Sequence, residues 1–406
     1  MSEWIRRFFV ANRKKIAAIV TTYFPYSHSD LIVSKFVSGF PTDQGVIQSE
    51  VDLVSIYMDQ LHTSDVGVSV AEKYGVTIYP SIRAALTLTP PSAYHWPTAP
   101  DWKVGELSVD GVLIIGEHGD YSGNERQQQM YPRKYFFEQV MGIFATSGRS
   151  VPVFNDKHLA YNWSDCEWIY KRSKELNVPF MAGSSLPVTS RTPELEHEIG
   201  TDIQAALSMG HFNSYVNGLE SYGFHGLEAL QCMVERRYGG ETGVSSVHCI
   251  EGKEVWEAGE SGLWPRDLAD EVELRIQDRS SGSIEDNCVN PAVFMIEYLD
   301  GFKAATLMLD GHLKGFGYSA RVNDEIVSTG FNQNYSRHES FTYQCLNLEK
   351  MFLTGQPQYP VERTLLVSGM MDGLMESRFR GHVPVETPHL NIEYSPPEDI
   401  PIRPSG

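Results

Sequence analysis

The chain is short of positive charge. In 406 residues, 33 Lys and Arg stand against 52 Asp and Glu, a formal net charge of −19. Nucleic-acid binding draws most of its affinity from cations that neutralise phosphates, so gripping nucleic acid is excluded as the main business of this protein. Cysteine is scarce and dispersed: Cys166, Cys232, Cys249, Cys288 and Cys345 show no C-x-x-C spacing. That pattern excludes a zinc cage or a disulfide framework and fits a reducing compartment. No run approaches the ~18–20 apolar residues of a membrane span. The N-terminus has basic residues, but its apolar runs are short and no small-residue cleavage site follows them. A soluble cytoplasmic protein with no nucleic-acid or membrane partner is expected. One further absence is local. Thr21–Asp30, TTYFPYSHSD, follows the first strand-like run and contains no glycine.

What is present is ordinary globular material, 41% hydrophobic and 21% charged, in a length that suggests two domains. The first half alternates strand and helix signals. Ile16–Val20, Val51–Met58, Val76–Tyr79, Gly111–Ile115, Val151–Phe154 and Pro179–Ala182 read as strands. Asp30–Phe40, Val66–Tyr74, Ser81–Leu86, Arg133–Ala145 and Ser164–Leu176 read as helices, with a Pro/Trp-rich loop over Thr89–Trp102. Continuous apolar strands alternating with helices imply an α/β, Rossmann-like, doubly wound parallel sheet over residues 1–185. A ligand site is then expected beyond the carboxyl ends of the strands.

From residue 186 to 385 the pattern changes to an α+β domain with a mainly antiparallel open sheet and helices on one face. His211–Arg237 reads as largely helical. Val244–Ile250 and Glu254–Trp256 read as a strand pair. Ala292–Leu299, Lys303–Leu309 and Phe316–Asn323 read as strands punctuated by Asp-Gly at 300–301 and 310–311, a hairpin signal. Glu339–Leu353 and Glu362–Arg378 read as helices, the latter returning toward the first domain. Residues 386–406 form a Pro-rich tail expected to wrap or dangle.

Four passages together resemble the glucose–fructose oxidoreductase/inositol dehydrogenase (Gfo/Idh/MocA-like) family. Asp110–Ile115, DGVLII, is similar to its fourth strand. Asp156-Lys157 in VPVFNDKHLA is similar to its E-K-P segment. Pro179–Leu186, PFMAGSSL, is similar to its crossover between domains, and Glu362–Arg378 to its late helix. The resemblance implies NAD(P), a sugar or polyol substrate, Lys157 at the substrate and His225 in the place of an active-site histidine. The chain departs from the family pattern at three points. The glycine-rich turn is absent, Asp156-Lys157-His158 replaces E-K-P, and Gly116–Tyr121, GEHGDY, replaces the usual T-P.

The residues themselves carry the same chemistry. Lys157 suits stabilisation of negative charge on a substrate oxygen, or proton exchange with it, and His225 and His118 suit acid–base work. Each also has a plainer reading, as a salt bridge or as turn chemistry. Asp59 sits where a Rossmann acid would meet a ribose diol, and Tyr23 and His28 occupy the loop where cofactor phosphates would lie. Glu117, Asp120, His158 and Glu228 are the candidate ligands for a divalent metal. His225 and Glu228, three apart, would share a helix face.

Two enzymatic readings remain open. One is an oxidoreductase of carbohydrate metabolism, with Lys157 and His225 handling substrate protons while hydride moves to NAD(P). The other is a non-redox lyase, isomerase or hydrolase with a divalent metal polarising the oxygen. A silent assembly protein, or an enzyme oligomerising with its own copies through the open sheet, is the third expectation. The excess of acid at the strand ends opposes an anionic dinucleotide and favours a neutral sugar or a metal-bridged ligand.

Overall fold

A computed structural model describes residues 13–89, 105–213, 215, 218–333 and 338–404. The N-terminal segment read for targeting signals, and the Pro/Trp-rich loop from residue 90 onward, lie outside the described residues.

Six strands form the first sheet: β1 (Lys15–Val20), β2 (Asp52–Met58), β3 (Thr77–Ile78), β4 (Gly111–Ile115), β5 (Val153–Asp156) and β6 (Phe180–Gly183). Their spatial order is β3-β2-β1-β4-β5-β6, all parallel. Side chains alternate across the sheet because strand residues point to opposite faces in turn. Ala18, Leu113, Phe154 and Met181 fall in register on one face. They pack there with helices α1 (His28–Ser38) and α2 (Gly67–Tyr74). Ala17, Ile19, Val112, Ile114 and Val153 face the other side, under α3 (Ile82–Thr87), α4 (Arg133–Ser147) and α5 (Trp163–Glu175). Burial on both faces explains why the strands read as unbroken apolar runs.

The second sheet has eight strands. In chain order they are β7 (Ser190–Thr192), β8 (Ile203–His211), β9 (Val244–Glu251), β10 (Ala292–Tyr298), β11 (Lys303–Leu309), β12 (Phe316–Val322), β13 (Glu325–Asn332) and β14 (Val385–Glu386). The spatial order is β14-β9-β10-β11-β8-β12-β13-β7. Only the β8–β11 pair is parallel.

Four expectations for this half are corrected. The stretch from His211 is not helical at its start, because β8 ends there; the helix is α6 (Gly218–Val234). β8 was missed because Ala, Ser, Met and Gly dominate it, so it lacks a β-branched signal. Glu254–Trp256 is not a strand but the start of helix α7 (Glu254–Glu260), whose buried Val255, Ala258 and Gly259 follow helical spacing. Asp310–Gly311 does not close a hairpin, because β8 lies between β11 and β12. The hairpin on this side is β12–β13, turned by Asn323 and Asp324, both with positive φ, as a two-residue hairpin turn of this kind requires. Finally, helices cover both faces of the sheet. α6 and α10 (Val361–Phe379) lie on one, and α7 and α8 (Arg266–Glu273) bury Leu207, Met209, Val293 and Leu307 on the other.

Two late helices join the sheets. α9 (Glu339–Thr354) adds Cys345, Leu348, Met351 and Phe352 to the first sheet's α1 face. α10 packs on α6 and β9 and also on α5 and β6. Its Arg363 makes a bidentate ion pair with Glu235 of the segment after α6, at 2.7 and 2.5 Å, with both side chains buried. The Pro-rich tail wraps: β14 pairs with β9, Tyr394 reaches Glu235 and Gln231, and Ile402 is held by Asn347. All five cysteines are buried and free. No described helix is long and apolar enough to cross a membrane.

Candidate functional site

The carboxyl ends of β1, β4 and β5 converge with the first turns of α6. At the end of β4 the chain turns through Gly116, and the position requires glycine. A Cβ there would meet Cγ of Arg133 at 2.6 Å. That close approach lets Arg133, the first residue of α4, lie almost fully buried against the next side chain, Glu117. Arg133 binds one carboxylate oxygen of Glu117. Lys157, just past β5, binds the other at 2.9 Å. The Lys157 ammonium also donates to the Ser221 hydroxyl at 3.1 Å and to its carbonyl at 3.3 Å. Lys157 and Glu117 are 2% and 3% exposed, so this triplet is a charged cluster inside the protein. Burial alone would raise the Glu117 carboxyl, but Lys157 and Arg133 outweigh it and hold the group well below the usual carboxylate range.

Around this floor lie four histidines. His118 and His158 both hold left-handed backbone, φ 67° and 50°, which is uncommon for residues with a side chain and costs about 1–3 kcal/mol each. Burial pushes His118 down to about 4, against the pull of Glu117. His158 packs on Phe224 at 4.2 Å, and its Nε2 lies 3.3 Å from the Glu220 carboxylate. His225 is half-buried, and its Nδ1 is buried with no partner. Burial first, then Lys157, hold His225 well below its ordinary value, and burial and Arg133 do the same for His158. The fourth, His28, is the first residue of α1. Its Nδ1 lies 2.7 Å from Asp156 at the end of β5. Glu220 is buried, and burial raises it to about 7 against the attraction of Lys157 and Arg133.

Lys157, Glu117, His118 and His225, singled out from sequence, thus share one site with His28 and His158. The four candidate metal ligands do not share one. Glu117 is taken by Arg133 and Lys157, His158 faces Glu220, and Asp120 is exposed. Glu228 accepts from the backbone and hydroxyl of Ser184, which follows β6. It fits there only because Gly183, at φ +117°, has no Cβ; one would lie 2.2 Å from Oε1. Among the described residues, no three His, Cys, Asp or Glu side chains are arranged to hold a metal ion. Glu117, Asp120 and His158 lie on loops, where neighbouring side chains point apart, and Glu228 lies on a helix. Glu228 is therefore a latch between α6 and β6.

That latch has a pH signature. Burial raises the Glu228 carboxyl to about 7, with the Ser184 hydrogen bonds opposing. The folded state then holds its proton where the unfolded chain releases it, so the stability this group contributes at acid pH is lost as pH rises through about 7. Glu228→Gln, which cannot ionise, should gain stability relative to the wild type as pH rises from 4.5 to about 7, by at most about 1.4 kcal/mol per pH unit, and the difference should level off above that. Thermal melts of both proteins across that range check it. A constant difference would refute the assignment.

The three candidate cofactor positions separate as well. Tyr23 is buried and bonds Ser34 within the α1 packing. Asp59 is exposed and accepts from Tyr57 at 2.8 Å and Tyr121 at 2.7 Å. Only His28 faces the site. Gln60, after β2, pairs with both backbone groups of Asp120, after β4, at 3.1 and 2.9 Å. Phe24 packs on His62 and His118 at 4.3 and 5.3 Å. Side chains of this protein therefore bridge the loops after β1, β2 and β4, over the switch point where a dinucleotide crosses such a sheet. With no glycine to let backbone approach a pyrophosphate, the residues present do not fit NAD(P) in its usual mode.

No protein-family model matches the chain, and none of the curated proteins matches it. The chain nevertheless shares its fold with solved structures that include inositol dehydrogenases. Solved structures with the same architecture include GenD2 from gentamicin A biosynthesis in complex with NAD, at 12% identity and a TM-score of 0.57, covering 93% of this chain and 97% of that one. Myo-inositol 2-dehydrogenase from Lactobacillus plantarum is similar at 12% identity and 0.55, covering 92% and 99%. Scyllo-inositol dehydrogenase from Lactobacillus casei, with bound NAD(H) and scyllo-inositol, is similar at 10% and 0.55, covering 92% and 99%.

Arg133 and Glu220 were undervalued in sequence. Arg133 reads as a helix start, and nothing local marks Glu220. Only the fold reveals that both are buried against Lys157's surroundings.

Proposed function

We propose that this protein is an acid–base enzyme acting on a sugar- or polyol-like ketone or alcohol at the strand ends. Lys157 holds the reacting oxygen of the substrate, and His225 takes or returns the proton on that oxygen. The buried Glu117–Arg133–Lys157 cluster carries this reading. Glu117 and Ser221 fix the ammonium in position, so it is in place before the substrate arrives. Such preorganisation is what stabilises charge developing on oxygen. His225 is held neutral by burial and can accept a proton. A polyhydroxylated, uncharged substrate suits a site where Glu117, Asp156 and Glu220 balance or exceed Lys157 and Arg133.

The fold favours a second reading, in which the same proton transfer is coupled to hydride transfer to NAD(P). The side chains bridging the loops after β1, β2 and β4 speak for the first. A panel of inositols, hexoses and their ketones, incubated with nucleotide-stripped protein and followed by NMR, separates the two. Turnover or hydrogen exchange without nucleotide is expected. Turnover that appears only on adding NAD(P)+ would transfer the conclusion to the second reading.

A further inference from the structure

The site as described handles a proton on oxygen but leaves open what accepts a proton from carbon. We infer that His28 is the carbon-directed base and that Asp156 is the residue that positions it. This inference rests on the proposed acid–base reading. His28 opens α1, in the segment where this fold would otherwise carry its glycine-rich turn, and its ring lies beside His118, which follows β4, and reaches the end of β5. Asp156 is fully buried and receives the ring's Nδ1 at 2.7 Å. Its other oxygen, Oδ1, is buried without a partner. A buried carboxylate held by a single imidazole fixes both the tautomer and the orientation of that ring. The proton sits on Nδ1, and Nε2 is left as the acceptor. Nε2 carries no hydrogen bond within the described protein. The ring is packed edge-on by His118 at 5.4 Å and Phe341 at 5.2 Å, which hold its plane.

The chemistry balances without any further reactant. Nε2 of His28 takes the proton from the carbon beside the substrate carbonyl. The C–H bonding pair becomes the carbon–carbon double bond, and the carbonyl π pair moves onto oxygen, where the Lys157 ammonium stabilises it. The imidazolium of His28 swaps its proton with solvent and returns one to the same carbon, as the oxygen's electron pair re-forms the carbonyl and the carbon–carbon π pair takes up the proton, giving hydrogen exchange. The loop that carries a cofactor cradle in this fold supplies the base here.

The test combines two readouts on the full chain. In wild type, long-range ¹H–¹⁵N spectra of ¹⁵N-histidine-labelled protein should show His28 as the Nδ1-protonated tautomer. Asp156→Asn should abolish that signature, and circular dichroism should report an unchanged fold. In parallel, deuterium uptake by 2-keto-myo-inositol in D₂O should fall at least ~100-fold in His28→Ala, the lower range for a lost general base. Added imidazole should partly restore it, which a merely structural role would not allow. His28→Gln provides a second, isosteric variant. If His28→Ala or His28→Gln exchanges at the wild-type rate while Lys157→Met is inactive, the assignment of His28 is overturned and the Lys157 site stands. If the wild type and Lys157→Met exchange equally, the acid–base reading itself fails.

Discussion

Lys157→Met should lower turnover by about 1,000-fold, the loss seen when a preorganised charge is removed from a developing oxyanion. Its apolar replacement fills similar volume between Glu117 and Ser221. Arg133 still pairs with Glu117, so the folded state should survive, and the melting curve should show that it does. Lys157→Arg should not rescue activity. A guanidinium is planar and larger, and the slot between Glu117 and the Ser221 carbonyl is shaped for a compact ammonium. Steady-state kinetics on any substrate found in the panel give the comparison. Retention of a tenth or more of wild-type kcat/KM in Lys157→Met would show that the buried ammonium is structural.

The second large effect concerns stability. Arg363→Met should destabilise the protein by about 3–5 kcal/mol, because it strands the Glu235 carboxylate in the interior with only Tyr394 as a neutral partner. This pair ties α10 to the end of α6, and α10 packs on both sheets. Its loss should therefore loosen the junction that positions Ser221 and His225 opposite Lys157. Denaturant titration measures the cost. The double variant with Glu235→Leu should recover most of it, since replacing both members of a buried ion pair by apolar groups is often close to neutral. A single variant within about 1 kcal/mol of wild type would mean that the ion pair is dispensable.

Legibility in the sequence followed the physics of each element. The parallel sheet was readable because burial on both faces leaves an unbroken apolar run, as in Gly111–Ile115. β8 was not, because it lies between β11 and β12 with Ala206, Ser208 and Gly210 along it, and small residues carry neither period. α7 was read as a strand because three residues are too few to distinguish the two periods. In the site, Lys157, Glu117 and His225 could be singled out because strand ends and the first turns of a helix are where this architecture gathers its ligand groups. The partnerships were not readable. His28 and Asp156 are 128 residues apart, and nothing local marks one as the other's acceptor. Glu228 looked like a companion of His225 by helical spacing, yet its carboxylate turns to Ser184 because Gly183 leaves room for it. The missing glycine turn was visible at once, whereas the contacts that fill its place, Phe24 with His62 and Gln60 with Asp120, depend on three loops meeting.

The most direct test of the central claim is deuterium exchange by the wild-type protein, stripped of nucleotide and incubated in D₂O with 2-keto-myo-inositol and related ketoses. The account predicts catalytic replacement of one hydrogen beside the carbonyl, with no NAD(P) present and no exchange in Lys157→Met. Absence of exchange with every ketone, together with alcohol oxidation that requires added NAD(P)+, would contradict it.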